Sequence, residues 1–194
     1  MNENIIDMFQ YNSVVILTYF FAAFAVMVID KLFRGKVVTN FFSTSKSDSL
    51  LNPITYFKLV SHSLGHSDWE HLSNNFIKIL LIGPMLEEKY GSINLLIMMV
   101  ITSVVIGVFH RLFEKGSLRG ASGILYMLII LSSFVNIDGG KIPLTLTLII
   151  MFFVIDEIIK LFKKDEDNIS HLGHLTGAVC GLVFGILSIG GINI

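Results

Sequence analysis

The feature that most constrains this chain is a series of six apolar runs, each close to the length of a bilayer-spanning helix and joined to the next by polar residues. A spanning helix needs about 20 mainly apolar residues, so six such runs and one long connection use up the chain. The runs fall at about 13–29, 71–87, 92–113, 122–135, 143–162 and 171–189. With 53% hydrophobic and 15% charged residues over 194 positions, and a mean hydropathy of +0.74, the composition is too apolar for a soluble domain of this size. The sequence therefore predicts an all-α polytopic membrane protein, with residues 1–194 as one domain and no internal repeat.

The connections sharpen this outline. The stretch 31–70 is polar around Ser43 to Ser49 and carries short apolar pieces such as 56–60, the pattern of short helices lying along the membrane interface. The second run is expected to end between Gly83-Pro84 and Glu87, and the fourth before Asp138-Gly139-Gly140, a turn signal. Pro143 suits the first turn of the fifth helix, and the charged Lys163 to Asp167 precede the sixth. Glu3 and Asp7 stand where a secretory signal would carry basic residues, so the first run is expected to be retained. Net charge is −1 with no basic run, which argues against a nucleic-acid partner. Cys180 is the single cysteine and has no intrachain disulfide partner.

Six crossings impose a parity. The second, fourth and sixth helices start on the same side of the membrane, and each starts with a polar group: His71 and Asn75, Ser122, and His174. Ser122 lies in Arg119-Gly120-Ala121-Ser122-Gly123, a small-residue knot at the start of a helix. The first turn of a helix offers unpaired N–H groups and a positive dipole end, which favour an alkoxide and can donate to an oxyanion. His71 and Asn75 are four apart and share a face, as do Ser122 and Tyr126. His174, Gly177 and Gly181 form one stripe, a histidine above a small-residue groove that lets another helix approach closely, most simply the fourth at Gly123. Such an approach would bring an imidazole base to a serine without requiring a carboxylate.

In these motifs the chain resembles the rhomboid intramembrane serine proteases. The resemblance covers about residues 60–185 and rests on His62, His66 and His71-Leu-Ser-Asn-Asn75; Gly83-Pro84-Met85-Leu86-Glu87 with Gly91; Gly120-Ala121-Ser122-Gly123 with Tyr126; and His174 with Gly177 and Gly181. It implies a six-helix rhomboid-like bundle that cleaves peptide bonds in or near transmembrane segments of membrane-protein substrates, in the lipid bilayer of the cell membrane. It implies Ser122 as nucleophile and His174 as general base and acid. His71, Asn75 and the Ser122 backbone N–H would stabilise the oxyanion, and Tyr126 would stack beside the imidazole. His62 and His66 would organise the first loop or a water path, and Glu87 would tie a loop. No metal or organic cofactor is required.

Other residues raise separate expectations. Lys78 is seven after His71 and three after Asn75, so it should share their face, and a buried lysine asks for a partner; Asp156 or Glu157, on the fifth helix where the family admits substrate laterally, would form a gate pair with it. Snorkelling of its stem to the interface is the alternative. Trp69 reads as an interface anchor and His110 as an interfacial histidine. His171 competes with His174 for the base role, and the Gly177 and Gly181 spacing favours His174. The Trp-Arg pair that many family members carry in the first loop is not visible. Eleven of the fourteen lysines and arginines fall in the odd-numbered loops against two, Lys89 and Lys141, in the even ones. The positive-inside rule would turn the site toward the cytoplasm, opposite to the usual opening of bacterial relatives.

Two other functions compete. One is a catalytically inactive rhomboid-like protein that binds membrane clients for quality control; the presence of both Ser122 and His174 argues against it. The other is a metal-binding or transport protein using His62, His66, His71, His171 and His174, against which stands the lack of an intramembrane carboxylate cluster in the sequence.

Overall fold

The computed structural model describes residues 11–135, 137, 144–163 and 170–190. Glu3 and Asp7, the Asp138-Gly139-Gly140 turn, Pro143 and the charged residues after Lys163 lie outside the described residues.

Among the described residues the fold is helical apart from one two-stranded ladder. Helix α1 spans Val14–Leu32, and the long connection after it folds into α2 (Lys36–Phe41), the short strand β1 (Thr44–Ser45), α3 (Pro53–Ser61) and a 3-10 turn at His62–Leu64. Helix α4 (Trp69–Tyr90) is followed at once by α5 (Ser92–Phe113). Strand β2 (Ser117–Leu118) pairs antiparallel with β1, tying the first loop to the segment that leads into α6 (Ser122–Ser132). The fifth apolar run is not one regular helix: α7 (Leu144–Ile149) passes through a π turn at Ile150–Val154 into α8 (Ile155–Lys163). Helix α9 (His171–Ile189) closes the described fold. Among the described residues three helices, α1, α5 and α9, are long and apolar enough to cross a membrane by length and composition.

The surface and the core divide as a bilayer protein requires. Leu81, Phe113 and Phe162 are among the large apolar side chains left exposed, while Phe76, Ile79, Leu86, Leu95, Met98, Met127, Leu128 and Leu131 are sealed inside. Lipid tails are as apolar as leucine, so these exposed side chains need no protein cover, and helices must associate through close packing and polar contacts.

Helix α4 runs through Gly83-Pro84 to Tyr90, beyond the boundary that the sequence suggests. Proline removes one ladder donor. Gly83 sits against Ile16 of α1, where an added Cβ would come within 2.6 Å of Cγ1. The extra turn carries Glu87 to the start of α1, where its carboxylate accepts from Ser13 Oγ, from Val15 N–H at 3.1 Å and from Ser92 Oγ at 2.6 Å. A carboxylate at a helix N-terminus satisfies orphan donors and suits the dipole. His110, expected at the interface, is instead buried, with Nδ1 2.6 Å from Glu114 Oε2. Trp69 is 44% exposed and its ring packs against Phe24, with centroids 5.5 Å apart.

Candidate active site

Helices α6 and α9 meet backbone to backbone. A Cβ built on Gly177 would lie 2.0 Å from the carbonyl oxygen of Gly123, and one on Gly181 would lie 2.4 Å from that of Met127. No side chain larger than hydrogen fits either place. This seam brings the first turn of α9, with His174, alongside the first turn of α6, with Ser122.

The His174 ring lies flat on Tyr126, with centroids 4.3 Å apart and an interplanar angle of 10°. Tyr126 is one turn after Ser122 on the same face of α6, so the stacked imidazole is held beside the face on which the serine stands. Ser122 itself is half-buried and opens the helix.

The turn before Ser122 is pinned by the first loop. Gly120 has φ +124°, a backbone conformation suited to glycine, and a Cβ there would come within 2.8 Å of His71 Cε1 and Nε2. Its N–H donates to the His62 carbonyl at 2.9 Å, and Ala121 N–H donates to His66 Nε2 at 3.3 Å. His62 Nε2 is 3.0 Å from the Ser103 carbonyl. Burial lowers the pKa of both His62 and His66 from 6.5 to about 4, so both are neutral at pH 7, as an acceptor for Ala121 N–H requires. A small cavity behind Ser122 is lined by His62, Gly120, Ser122, Ser170 and Gly173.

Helix α4 supplies the facing polar groups. Asp68 caps it, accepting from the His71 N–H at 2.7 Å, and His71 Nδ1 is 3.1 Å from Ser67 Oγ, which turns Nε2 toward Gly120. Asn75 is buried, and its Nδ2 has no hydrogen-bond partner. A buried unpaired amide donor is costly and calls for a functional explanation.

The structure adds a carboxylate that the sequence does not place. Glu157 of α8 is buried; Tyr126 Oη donates to its Oε1 at 2.6 Å, and its Oε2 lies 2.6 Å from His171 Nδ1 and 3.1 Å from His174 Nδ1. The last contact is within ion-pair reach, but Nδ1 of His174 makes no regular hydrogen bond. The expected gate pair is therefore not formed: Glu157 is engaged by Tyr126 and the two histidines, Asp156 bridges Lys160 at 2.7 Å, and Lys78 is exposed. The sequence carries no signal for this, because Glu157 lies just beyond the π turn at Ile150–Val154, where one extra residue per turn changes which side chains share a face. The five-histidine cluster is not assembled either. His171 and His174 converge with Glu157, whereas His62 and His66 engage the loop around Gly120 and Ala121.

The Rhomboid domain family model matches residues 53–190, which include all of these groups. The chain belongs to the rhomboid family. Among its relatives are the rhomboid-like protein 11, chloroplastic, of Arabidopsis thaliana, 24% identical over 142 residues, and the rhomboid protease GlpG of Haemophilus influenzae, 24% identical over 135 residues. These alignments cover 66% and 68% of this chain, and 51% and 69% of the respective relatives. Rhomboid-related protein 1 of Caenorhabditis elegans is 29% identical over 139 residues, 66% of this chain and 39% of that protein. The chain thus spans about half the length of the Arabidopsis relative, and less of the nematode one. Family membership and the apolar helices make it an integral membrane protein.

Proposed function

We propose that this rhomboid is a single-domain intramembrane serine endopeptidase with six membrane crossings, hydrolysing peptide bonds in or near transmembrane segments of other proteins of the cell membrane. The observation that carries the proposal is the His174 imidazole stacked on Tyr126, one turn from Ser122, across a seam with no room for a methyl group. The protease names of several relatives agree with it.

The chemistry follows from which nitrogen is free. The Nδ1 edge of His174 faces the Glu157 carboxylate at 3.1 Å, so Nε2 is the nitrogen left to act as base toward Ser122. Ser122 Oγ attacks the substrate carbonyl and the Nε2 of His174 takes its proton; the negative oxygen that results is met by the Ser122 N–H, by Asn75 Nδ2 and by an Nε2–H of His71, the tautomer in which Nδ1 accepts from Ser67 Oγ. The imidazolium returns the proton to the leaving amine, and water then releases the acyl group by the same route in reverse. A stable helix hides its carbonyls, so targets are segments that unwind locally. Cleavage of a generic transmembrane substrate in proteoliposomes, lost in Ser122→Ala and His174→Ala variants of unchanged thermal stability, is the expected result. Cleavage that survives both substitutions would refute the assignment.

A further inference from the structure

The contact between α8 and α9 holds more ligand chemistry than acyl transfer needs. Glu157, His171 and His174 each offer one ligand atom, and the three atoms lie within 4.8 Å of one another. We propose that these residues bind a divalent cation of the zinc class, and that its occupancy reversibly silences Ser122. The second half rests on the serine-protease reading; the first half does not.

The donor set selects the ion. Two imidazole nitrogens and one carboxylate oxygen suit zinc and its neighbours, whereas magnesium and calcium favour all-oxygen sites. His171 and His174 are three apart on α9 and share a face, which Glu157 meets from α8. All three residues are buried. Tyr126 Oη donates to Oε1 at 2.6 Å, the kind of hydrogen bond that fixes the orientation of a ligating carboxylate, and leaves Oε2 facing both histidines. Donor atoms around a tetrahedral zinc with bonds of roughly 2.0–2.1 Å stand about 3.4 Å apart. The observed separations of 2.6 and 3.1 Å from Oε2 would therefore open by less than about 1 Å, within the reach of side-chain rotation. Three protein ligands leave a fourth position for water.

Inhibition follows from proton placement. A cation at Nδ1 of His174 needs the lone pair of that nitrogen, so the ring proton moves to Nε2. An Nε2 that already carries a proton cannot take one from Ser122. Metal occupancy and general-base action are mutually exclusive at this histidine, whatever the substrate.

The test uses the untagged full-length protein in detergent. Zinc is titrated into Ser122→Ala by calorimetry, and thermal unfolding of the wild type is followed with and without zinc. One equivalent bound, with a raised melting temperature, is expected. His171→Gln and Glu157→Gln should each weaken binding by about tenfold or more. In the wild type, zinc should suppress labelling of Ser122 by a fluorophosphonate probe in step with occupancy, and EDTA should restore it. Should both variants unfold, the visible absorption of Co²⁺ added to the wild type reports a nitrogen and oxygen ligand set directly. The site is overturned if folded wild type takes up no stoichiometric zinc, or if both folded variants bind it as tightly as the parent. Zinc binding with labelling undiminished overturns the switch alone. Zinc binding to a protein that no serine probe labels leaves the metal site standing and contradicts the protease reading.

Discussion

Helix α9 and the α7–α8 segment both flank α6, and they are attached to the fold in opposite ways. Helix α9 is locked to α6 through glycines whose places admit no side chain. The α7–α8 segment contains a π turn, exposes Leu144, Phe152 and Phe162, and buries little beyond Leu146 and Glu157. Its inward polar link is Glu157, held by Tyr126 and His171. The seam fixes where His174 stands relative to Ser122, while the lightly packed α7–α8 segment reaches Tyr126 and the two histidines through the Glu157 carboxylate. Elements with few buried contacts lie at the low-stability end of a structure, where moving parts are found.

The comparison can be broken at the seam, with the largest effect. Gly177→Val forces methyl groups against the Gly123 carbonyl, and overpacking of this severity should cost about 3 kcal/mol or more. A melting temperature in detergent close to wild type would show that the helices are not locked. The lightly held side gives a smaller effect. Glu157→Gln keeps an acceptor for Tyr126 but removes the charge facing two imidazoles, for a loss of roughly 1–3 kcal/mol. Hydrogen exchange should rise in α7–α8 and stay unchanged along α6 and α9; an even rise across all of them would mean that the regions are not separable.

Acid should loosen the first loop. His62 and His66 are held neutral by burial with pKa values of about 4, against 6.5 when unfolded. Between those values the unfolded chain binds more protons, so their contribution to stability is full above pH 6.5 and is lost as pH falls toward 4. Melting temperatures from pH 7 to 5 should fall, less steeply in His66→Gln, which keeps an acceptor for Ala121 N–H. Equal slopes would remove His66 from the account. The smallest effect belongs to Lys78: being exposed and apart from Asp156 and Glu157, its replacement by methionine should change stability by no more than about 0.5 kcal/mol. A loss several times larger would restore the gate pair.

Much of this was legible in the sequence, and for identifiable reasons. Lengths of apolar runs placed α1, α5 and α9, because hydrocarbon thickness sets them. The i, i+3, i+7 stripe of His174, Gly177 and Gly181 named the face of α9 that meets α6, since small residues at helical spacing have few other uses in lipid. Helix α4 was read short at Gly83-Pro84 because proline is a local stop signal, while the packing of Gly83 on Ile16 is a tertiary fact. Asp156 or Glu157 was expected to pair with Lys78 from the face of Lys78 on the second run and the family's substrate entry, neither of which shows that Tyr126 and His171 hold the Glu157 carboxylate. His110 was read as interfacial from its place at the end of the third run, and its contact with Glu114, one turn later, is a detail that spacing alone does not show.

The central claim is that Ser122 is a nucleophile activated by His174. Its most direct test is labelling of the purified protein by a fluorophosphonate or isocoumarin probe, comparing wild type with Ser122→Ala and His174→Ala. Labelling of the wild type that vanishes in both variants is the predicted result. Folded wild type that no probe labels, together with no cleavage of a transmembrane substrate, would contradict it and leave a rhomboid that binds membrane proteins without cutting them.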